Sequence, residues 1–159
     1  MVVKVGMADL NICAAPDSII TLGLGSCVGV VLWDPSTKVC GMVHVMLPDS
    51  TSISQNSNRA KFADTGMDDL LDKVLLAGAS RNRLVAKIAG GAQMFTVNTK
   101  SPTLMIGARN VEAVKKKLSE LRIKLLAEDT GDTYGRTVEF YPETGEYHIR
   151  AIGREGKII

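Results

Sequence analysis

A chain of 159 residues, 45% hydrophobic and 23% charged, has the length and composition of one soluble domain with a buried core. A net charge of +2 is too small for a nucleic-acid surface, and 4% aromatic residues leave little for a base-stacking platform. No apolar run approaches the roughly 18 residues that span a bilayer, so no membrane insertion is expected. The opening MVVKVGMADLNIC lacks the long apolar stretch of a secretory signal. Three cysteines, odd in number and irregular in spacing, favour reduced thiols in a cytoplasmic setting over a disulfide framework.

In chain order, strand-like runs cover Asp9–Cys13, Ile19–Leu22, Cys27–Trp33 and Val39–Met46. STSISQNSNR, from Ser50 to Arg59, is the one long polar loop, the kind of segment that often forms a lid or a binding edge. Met67, Leu70, Leu71, Val74 and Leu75 fall on one apolar helical stripe, and Gly78 supplies a stop signal. Leu84–Ala89 and Thr103–Ile106 read as further strands. Asn110 is placed to cap a second helix carrying Val111, Val114, Leu118 and Leu121 inward, with Lys115, Lys116 and Lys117 on its solvated face. Strands then follow at Ile123–Ala127, Thr137–Tyr141 and Glu146–Ala151, with the last two joined by the turn Pro142–Gly145. Many strands with two helices indicate an α/β (α+β) domain with layered sheets.

The stretch TLGLGSCVGVVLWDPSTKVCGMVHVMLPDS, residues 21–50, concentrates the chemistry. If Asp34–Thr37 forms the turn of a hairpin closed by Trp33 and Lys38, Cys27 falls opposite His44 on the same face. Directly opposed Cβ atoms lie about 4.5–5.5 Å apart, within reach of a thiol–imidazole contact. A slip of one residue would separate the two onto opposite faces. Gly23-Leu24-Gly25-Ser26 before Cys27 allows unusual backbone angles, and successive N–H groups of such a turn can receive an oxyanion. A thiol there, opposite an imidazole, has the parts for acyl transfer. The competing reading is a buried pair without chemistry, since free cysteine usually serves as a small hydrophobe. Cys13 and Cys40, set among apolar residues, fit that second role.

Metal binding does not fit. Cys40 and His44 on one strand would be roughly 13 Å apart, too far to share a zinc ion, and no CxxC or HxxxH spacing is present. GLGSC also lacks the GxGxxG and GxxxxGK[ST] phosphate-binding patterns.

The 21–50 stretch resembles the signature region of the CheD family of chemoreceptor glutamine deamidases. KFADTGMDDLL (61–71), KIAGGAQMF (87–95), IGARNVEAVKKKL (106–118) and GRTVEFYPETGE (135–146) resemble the family's later blocks in the same order. Gly131-Asp132 departs from the glycine pair found in many members. The resemblance implies a layered α/β sandwich similar to that of toxin-type glutamine deamidases, with mixed sheets and two main helices. It implies Cys27 as nucleophile, His44 as general base and acid, and Thr21 as the residue orienting the imidazole. The backbone of Gly23, Gly25 and Ser26 would form the oxyanion loop. No cofactor is implied. The implied substrates are glutamines on the cytoplasmic part of methyl-accepting chemotaxis receptors, and the implied second partner is the phosphatase CheC. Gly90, Gly91 and Phe95 are candidates for a partner-docking edge. Two other readings are open: a non-catalytic adaptor of CheC and receptors, or another thiol hydrolase, an amidase or an esterase.

Overall fold

A computed structural model describes residues 1–94 and 105–159. Among these residues ten strands and two α-helices follow one another: β1 (Val2–Val5), β2 (Leu10–Ala14), β3 (Ser18–Leu24), β4 (Val28–Asp34), β5 (Val39–Val45), α1 (Ala63–Leu76), β6 (Val85–Gly90), α2 (Ile106–Leu121), β7 (Lys124–Thr130), β8 (Arg136–Tyr141), β9 (Glu146–Arg150) and β10 (Lys157–Ile158). They build two mixed five-stranded sheets, ordered β1-β3-β8-β9-β10 and β2-β5-β4-β6-β7. The fold is α+β, in three layers: helices, second sheet, first sheet.

Strand alternation creates these layers. On β4 and β5, Val28, Val30, Leu32, Val39, Val43 and Val45 face the helices and pack with Met67, Leu70, Val74, Val114 and Leu118. The alternate residues Val31, Cys40 and Met42 face the first sheet and meet Ile19, Val138, Phe140 and Tyr147. Because both faces of the second sheet are covered, β5 is buried at every position.

The two sheets are also tied by polar contacts. Tyr147 Oη donates to Gly29 O at 2.9 Å. A Cβ at Gly29 would sit 2.8 Å from that hydroxyl, so glycine keeps the approach open. Trp33 Nε1 donates to Pro142 O at 2.9 Å, and its ring meets Phe140 edge-on.

The β4–β5 hairpin differs from its expected register. Pairing runs Asp34↔Val39, Gly29↔His44 and Val28↔Val45, so the connection is residues 35–38 rather than Asp34–Thr37. Asp34 causes the displacement. Its carboxylate accepts from Ser36 N–H at 2.9 Å, and its carbonyl accepts from Lys38 N–H at 2.9 Å, with Lys38 left-handed at φ 58°. The turn therefore closes one residue later on each strand. Two residues of register are gained, an even number, so no side chain changes face.

Other expectations hold in part. α1 ends at Leu76, with Gly78 at φ +113° just beyond it. Asn110 is not the cap of the second helix, which begins at Ile106; Asn110 is buried in its second turn. Ile106, expected in a strand, opens that helix, while residues 103 and 104 lie outside the described residues. β1 and β10 carry too few patterned residues to be read from sequence. Lys115 and Lys117 are ion-paired, with Glu128 and Asp68. At Gly131-Asp132, both residues are left-handed (φ 81° and 62°), so the aspartate keeps a geometry that glycine would adopt freely.

Asp34 is fully buried and also binds Ser80 N–H and the Arg83 guanidinium, at 2.8 and 2.9–3.0 Å. Burial alone would raise its carboxyl pKa. Arg83 and the N–H groups of Ser80, Ser36 and Thr37 hold it well below the usual carboxylate range. Asp34→Asn should lower the urea midpoint at neutral pH. The group's folded pKa is depressed, so its contribution is present above the unfolded value and is lost as pH falls. The difference between the two proteins should therefore narrow below about pH 3.9. A urea titration series that shows no difference at neutral pH would contradict this role.

Candidate active site

Thr21 on β3 and His44 on β5 belong to different sheets and meet across the space between them. Thr21 is 1% exposed and His44 is 0% exposed. Thr21 Oγ1 lies 2.8 Å from His44 Nδ1 and 2.8 Å from Val5 O. β1 runs parallel to β3 with Val5 paired to Thr21, which brings that carbonyl to the hydroxyl.

Proton inventory fixes the roles. A hydroxyl has one hydrogen, and a carbonyl oxygen can only accept. The Thr21 hydrogen goes to Val5 O, so Thr21 Oγ1 must accept from His44 Nδ1–H. Neutral His44 is thereby held as the Nδ1–H tautomer, with the Nε2 lone pair bare. Nε2 is buried and has no hydrogen-bond partner among the described residues. Burial lowers the His44 pKa, which keeps the ring neutral and its Nε2 unprotonated.

Cys27 lies just before β4 and belongs to the buried cluster between the sheets that also holds Val5, Leu24 and Ala89. Continuing the β4–β5 register puts it opposite Met46, making His44 its diagonal neighbour on the same face, at about 7–8 Å for such pairs. The two do not hydrogen-bond in this resting arrangement. Burial raises the Cys27 thiol pKa. Thiol and imidazole are therefore both shifted toward their neutral forms, against a resting thiolate–imidazolium pair.

The loop leading to Cys27 owes its course to glycine. β3 bulges between Thr21 and Leu24, with Gly23 at φ +68°. The next three carbonyls are all anchored: Gly25 O by Ala92 N–H at 2.9 Å, Ser26 O by Asn110 Nδ2 at 2.9 Å, and Cys27 O by Gly91 N–H at 2.8 Å. The N–H groups of Ser26 and Cys27 meet no acceptor among the described residues. A Cβ at Gly90 would collide with Cys27 O, so only glycine fits there. Gly90 and Gly91 are buried and brace the Cys27 loop from behind; they form no exposed edge. Phe95 lies outside the described residues, whereas Met94, 46% exposed, reaches the position a Gly25 Cβ would contact.

The other candidates lie elsewhere. Cys13 and Cys40 pair directly across β2 and β5, with their sulfurs 3.5 Å apart. The Cys40 thiol beside it lowers the Cys13 pKa, while Cys40, its thiol held against Cys13 and buried, is raised. His148 is on the rim beside Glu146. Among the described residues no group of three or more His, Cys, Asp or Glu is arranged to hold a metal ion. The Ser50–Arg59 loop is largely exposed but tied to α1, where Asp64 accepts from both Ser50 N–H and Ser50 Oγ. Residues that sequence reasoning missed are Val5, whose carbonyl sets the relay, and Asn110, a polar residue in the buried stripe Gly107, Asn110, Val114 and Leu118. That break in an apolar stripe was the available signal for Asn110.

Nitrogen-15 NMR of His44 checks the tautomer. The neutral ring should show a protonated Nδ1 and a bare Nε2, with a pKa below the ordinary value of about 6.5. Thr21→Val should release the tautomer preference. A dominant Nε2–H form in the unsubstituted protein would contradict the relay.

Comparison with known proteins gives a consistent result. A family model described as CheD chemotactic sensory transduction matches residues 46–151. A protein of Lachnoclostridium phytofermentans named "Probable chemoreceptor glutamine deamidase CheD" is 62% identical over 157 residues, covering 99% of this chain and 98% of the relative. One of Halalkalibacterium halodurans named "Chemoreceptor glutamine deamidase CheD" is 57% identical over 159 residues, covering 99% and 98%. A relative from Caldanaerobacter subterraneus, again bearing the "Probable" form of that name, is 51% identical over 158 residues, with 99% and 98% covered.

Proposed function

This chain belongs to the CheD family, and from that premise we propose that it is a chemoreceptor glutamine deamidase with Cys27 as nucleophile, His44 as base and Thr21 as the residue that orients the imidazole. The observation that carries the reading is the Val5–Thr21–His44 relay, which leaves Nε2 bare on the face that Cys27 shares. The setting is the cytoplasm, where the helical signalling part of a receptor is accessible. No helix among the described residues is long and apolar enough to cross a membrane.

A glutamine carboxamide is a weak electrophile, so the thiol must lose its proton as it attacks. The Cys27 thiol gives its proton to His44 Nε2 while sulfur bonds to the side-chain carbonyl carbon. The tetrahedral oxyanion is received by the unengaged N–H groups of Ser26 and Cys27, at the end of the Gly23–Gly25 turn. The imidazolium returns the proton to nitrogen, the C–N bond breaks, and ammonia leaves a thioester on Cys27. Water then attacks, giving its proton to neutral His44. The C–S bond breaks, the thiolate is reprotonated, and glutamate is released. The net change is amide plus water to acid plus ammonia. Proton transfer coupled to attack suits a site in which both partners rest neutral.

The partners are the receptor's cytoplasmic helices and, by the same family reading, CheC. An open groove beside the loop is lined by Gly23, Met94, Tyr134 and Arg150, with Ile152 fully exposed on its rim. Such a surface suits a protein substrate better than a free amino acid.

The test is incubation with purified receptor cytoplasmic fragments followed by peptide mass spectrometry. Glutamine should become glutamate without backbone cleavage, and Cys27→Ala should abolish the conversion while Cys13→Ala retains it. His44→Ala should cost about a hundredfold or more. The His44 pKa is lowered, so kcat/KM should hold through mildly acidic pH and fall only below about 6.5, as the base is protonated. Receptor conversion by Cys27→Ala would overturn the nucleophile assignment. Binding of CheC and receptor without any conversion would point to an adaptor, and backbone cleavage to another thiol hydrolase.

A further inference from the structure

We propose that Asn110 is a positioning residue for the oxyanion hole: its side-chain amide holds the Ser26 carbonyl from behind and so aims the Cys27 N–H at the reacting carbonyl. The inference rests on the thioester reading of the site.

Asn110 is 0% exposed and sits where α2 faces the second sheet. Its Nδ2 carries two hydrogens, and both are committed. One goes to Ser26 O and the other to Met46 O, each at 2.9 Å. Ser26 immediately precedes the nucleophile, and Met46 follows the base by two residues. A single amide thus joins the loop bearing Cys27 to the strand end bearing His44.

Peptide geometry turns that anchor into a direction. A trans peptide is planar, with C=O and the following N–H antiparallel. Fixing Ser26 O on the Asn110 side points Cys27 N–H the opposite way. The preceding peptide is set similarly, since Ala92 N–H holds Gly25 O and Ser26 N–H points away. Neither N–H meets an acceptor among the described residues. Donors held this way need no reorganisation when charge develops on the substrate oxygen. The arrangement is locally unfavourable: Asn110 Oδ1 is buried without a partner among the described residues, which costs stability. Asparagine is also a poor residue for a helix interior. An apolar residue would serve packing alone.

Two reactions at Cys27 separate this role from a merely structural one. Alkylation by iodoacetamide occurs at a saturated carbon and forms no oxyanion. Acylation by p-nitrophenyl acetate forms the sulfur–carbonyl bond through a tetrahedral oxyanion, breaks the aryl ester bond and releases nitrophenolate, the thiol proton passing to His44. Both are read by peptide mass spectrometry, because the partly exposed Cys13 also reacts. In Asn110→Ala, acylation and receptor deamidation should fall about 10–100-fold through kcat, part of the loss expected for removing an oxyanion donor. KM and the alkylation rate should stay within about threefold, since neither reports oxyanion stabilisation. Leu118→Ala, which loosens the same helix, should leave the ratio of acylation to alkylation unchanged. Should the alanine variant not fold, Asn110→Asp keeps the side chain's shape while replacing its donors, and the same split is expected. Equal loss of both reactions, or loss of neither, would overturn the proposal. A wild-type protein that is acylated at Cys27 but deamidates no receptor fragment would overturn the deamidase reading and leave this one intact.

Discussion

The site depends on one hydrogen-bond chain between two sheets, from His44 Nδ1–H to Thr21 Oγ1 to Val5 O. Each link leaves the next with one choice. The Val5 carbonyl cannot donate, so the threonine must; having given up its only hydrogen, the threonine must accept from the imidazole. The imidazole is thus oriented, and its tautomer set, by a neutral relay. A carboxylate in the same place would raise the imidazole's pKa; a hydroxyl leaves burial free to lower it. The sheet packing that buries His44 on β5 therefore also tunes it.

The Cys27 side of the site is built differently. Its loop carries no regular ladder, and its shape comes from three carbonyls, each pulled back by a separate donor on the β6–α2 side of the fold. Gly90 is forced by the contact its Cβ would make with Cys27 O, and Gly91 by Val111 on α2. Gly90-Gly91-Ala92 is the brace behind the Cys27 loop. The Cys27 loop and the end of the His44 strand then share Asn110, so helix, loop and strand are positioned by one another.

Much of this was legible in the sequence because periodicity and local turn chemistry act over short range. The apolar stripe Met67–Leu75 is α1, and the runs around Cys27 and His44 are the paired strands β4 and β5. The pairing register was not legible, because it was decided by the buried Asp34 carboxylate gathering partners from Ser36 to Arg83. The face shared by Cys27 and His44 survived because the shift was even. Thr21 had no local signal, since its contacts depend on β1 lying beside β3 in one sheet and on β5 facing it from the other. Asn110 is the first good capping residue of its segment, yet the helix begins a turn earlier, at Ile106, and buries it.

In the proposed mechanism Cys27 carries the substrate as a thioester before water arrives. Hydroxylamine added to the reaction with a receptor fragment tests it most directly, since it competes with water for a thioester but hardly attacks an amide. The account predicts glutamyl hydroxamate at the same positions that otherwise become glutamate, increasing with hydroxylamine at the expense of acid. Glutamate alone, undiminished at every hydroxylamine concentration, would mean that water attacks the amide directly and would contradict the account.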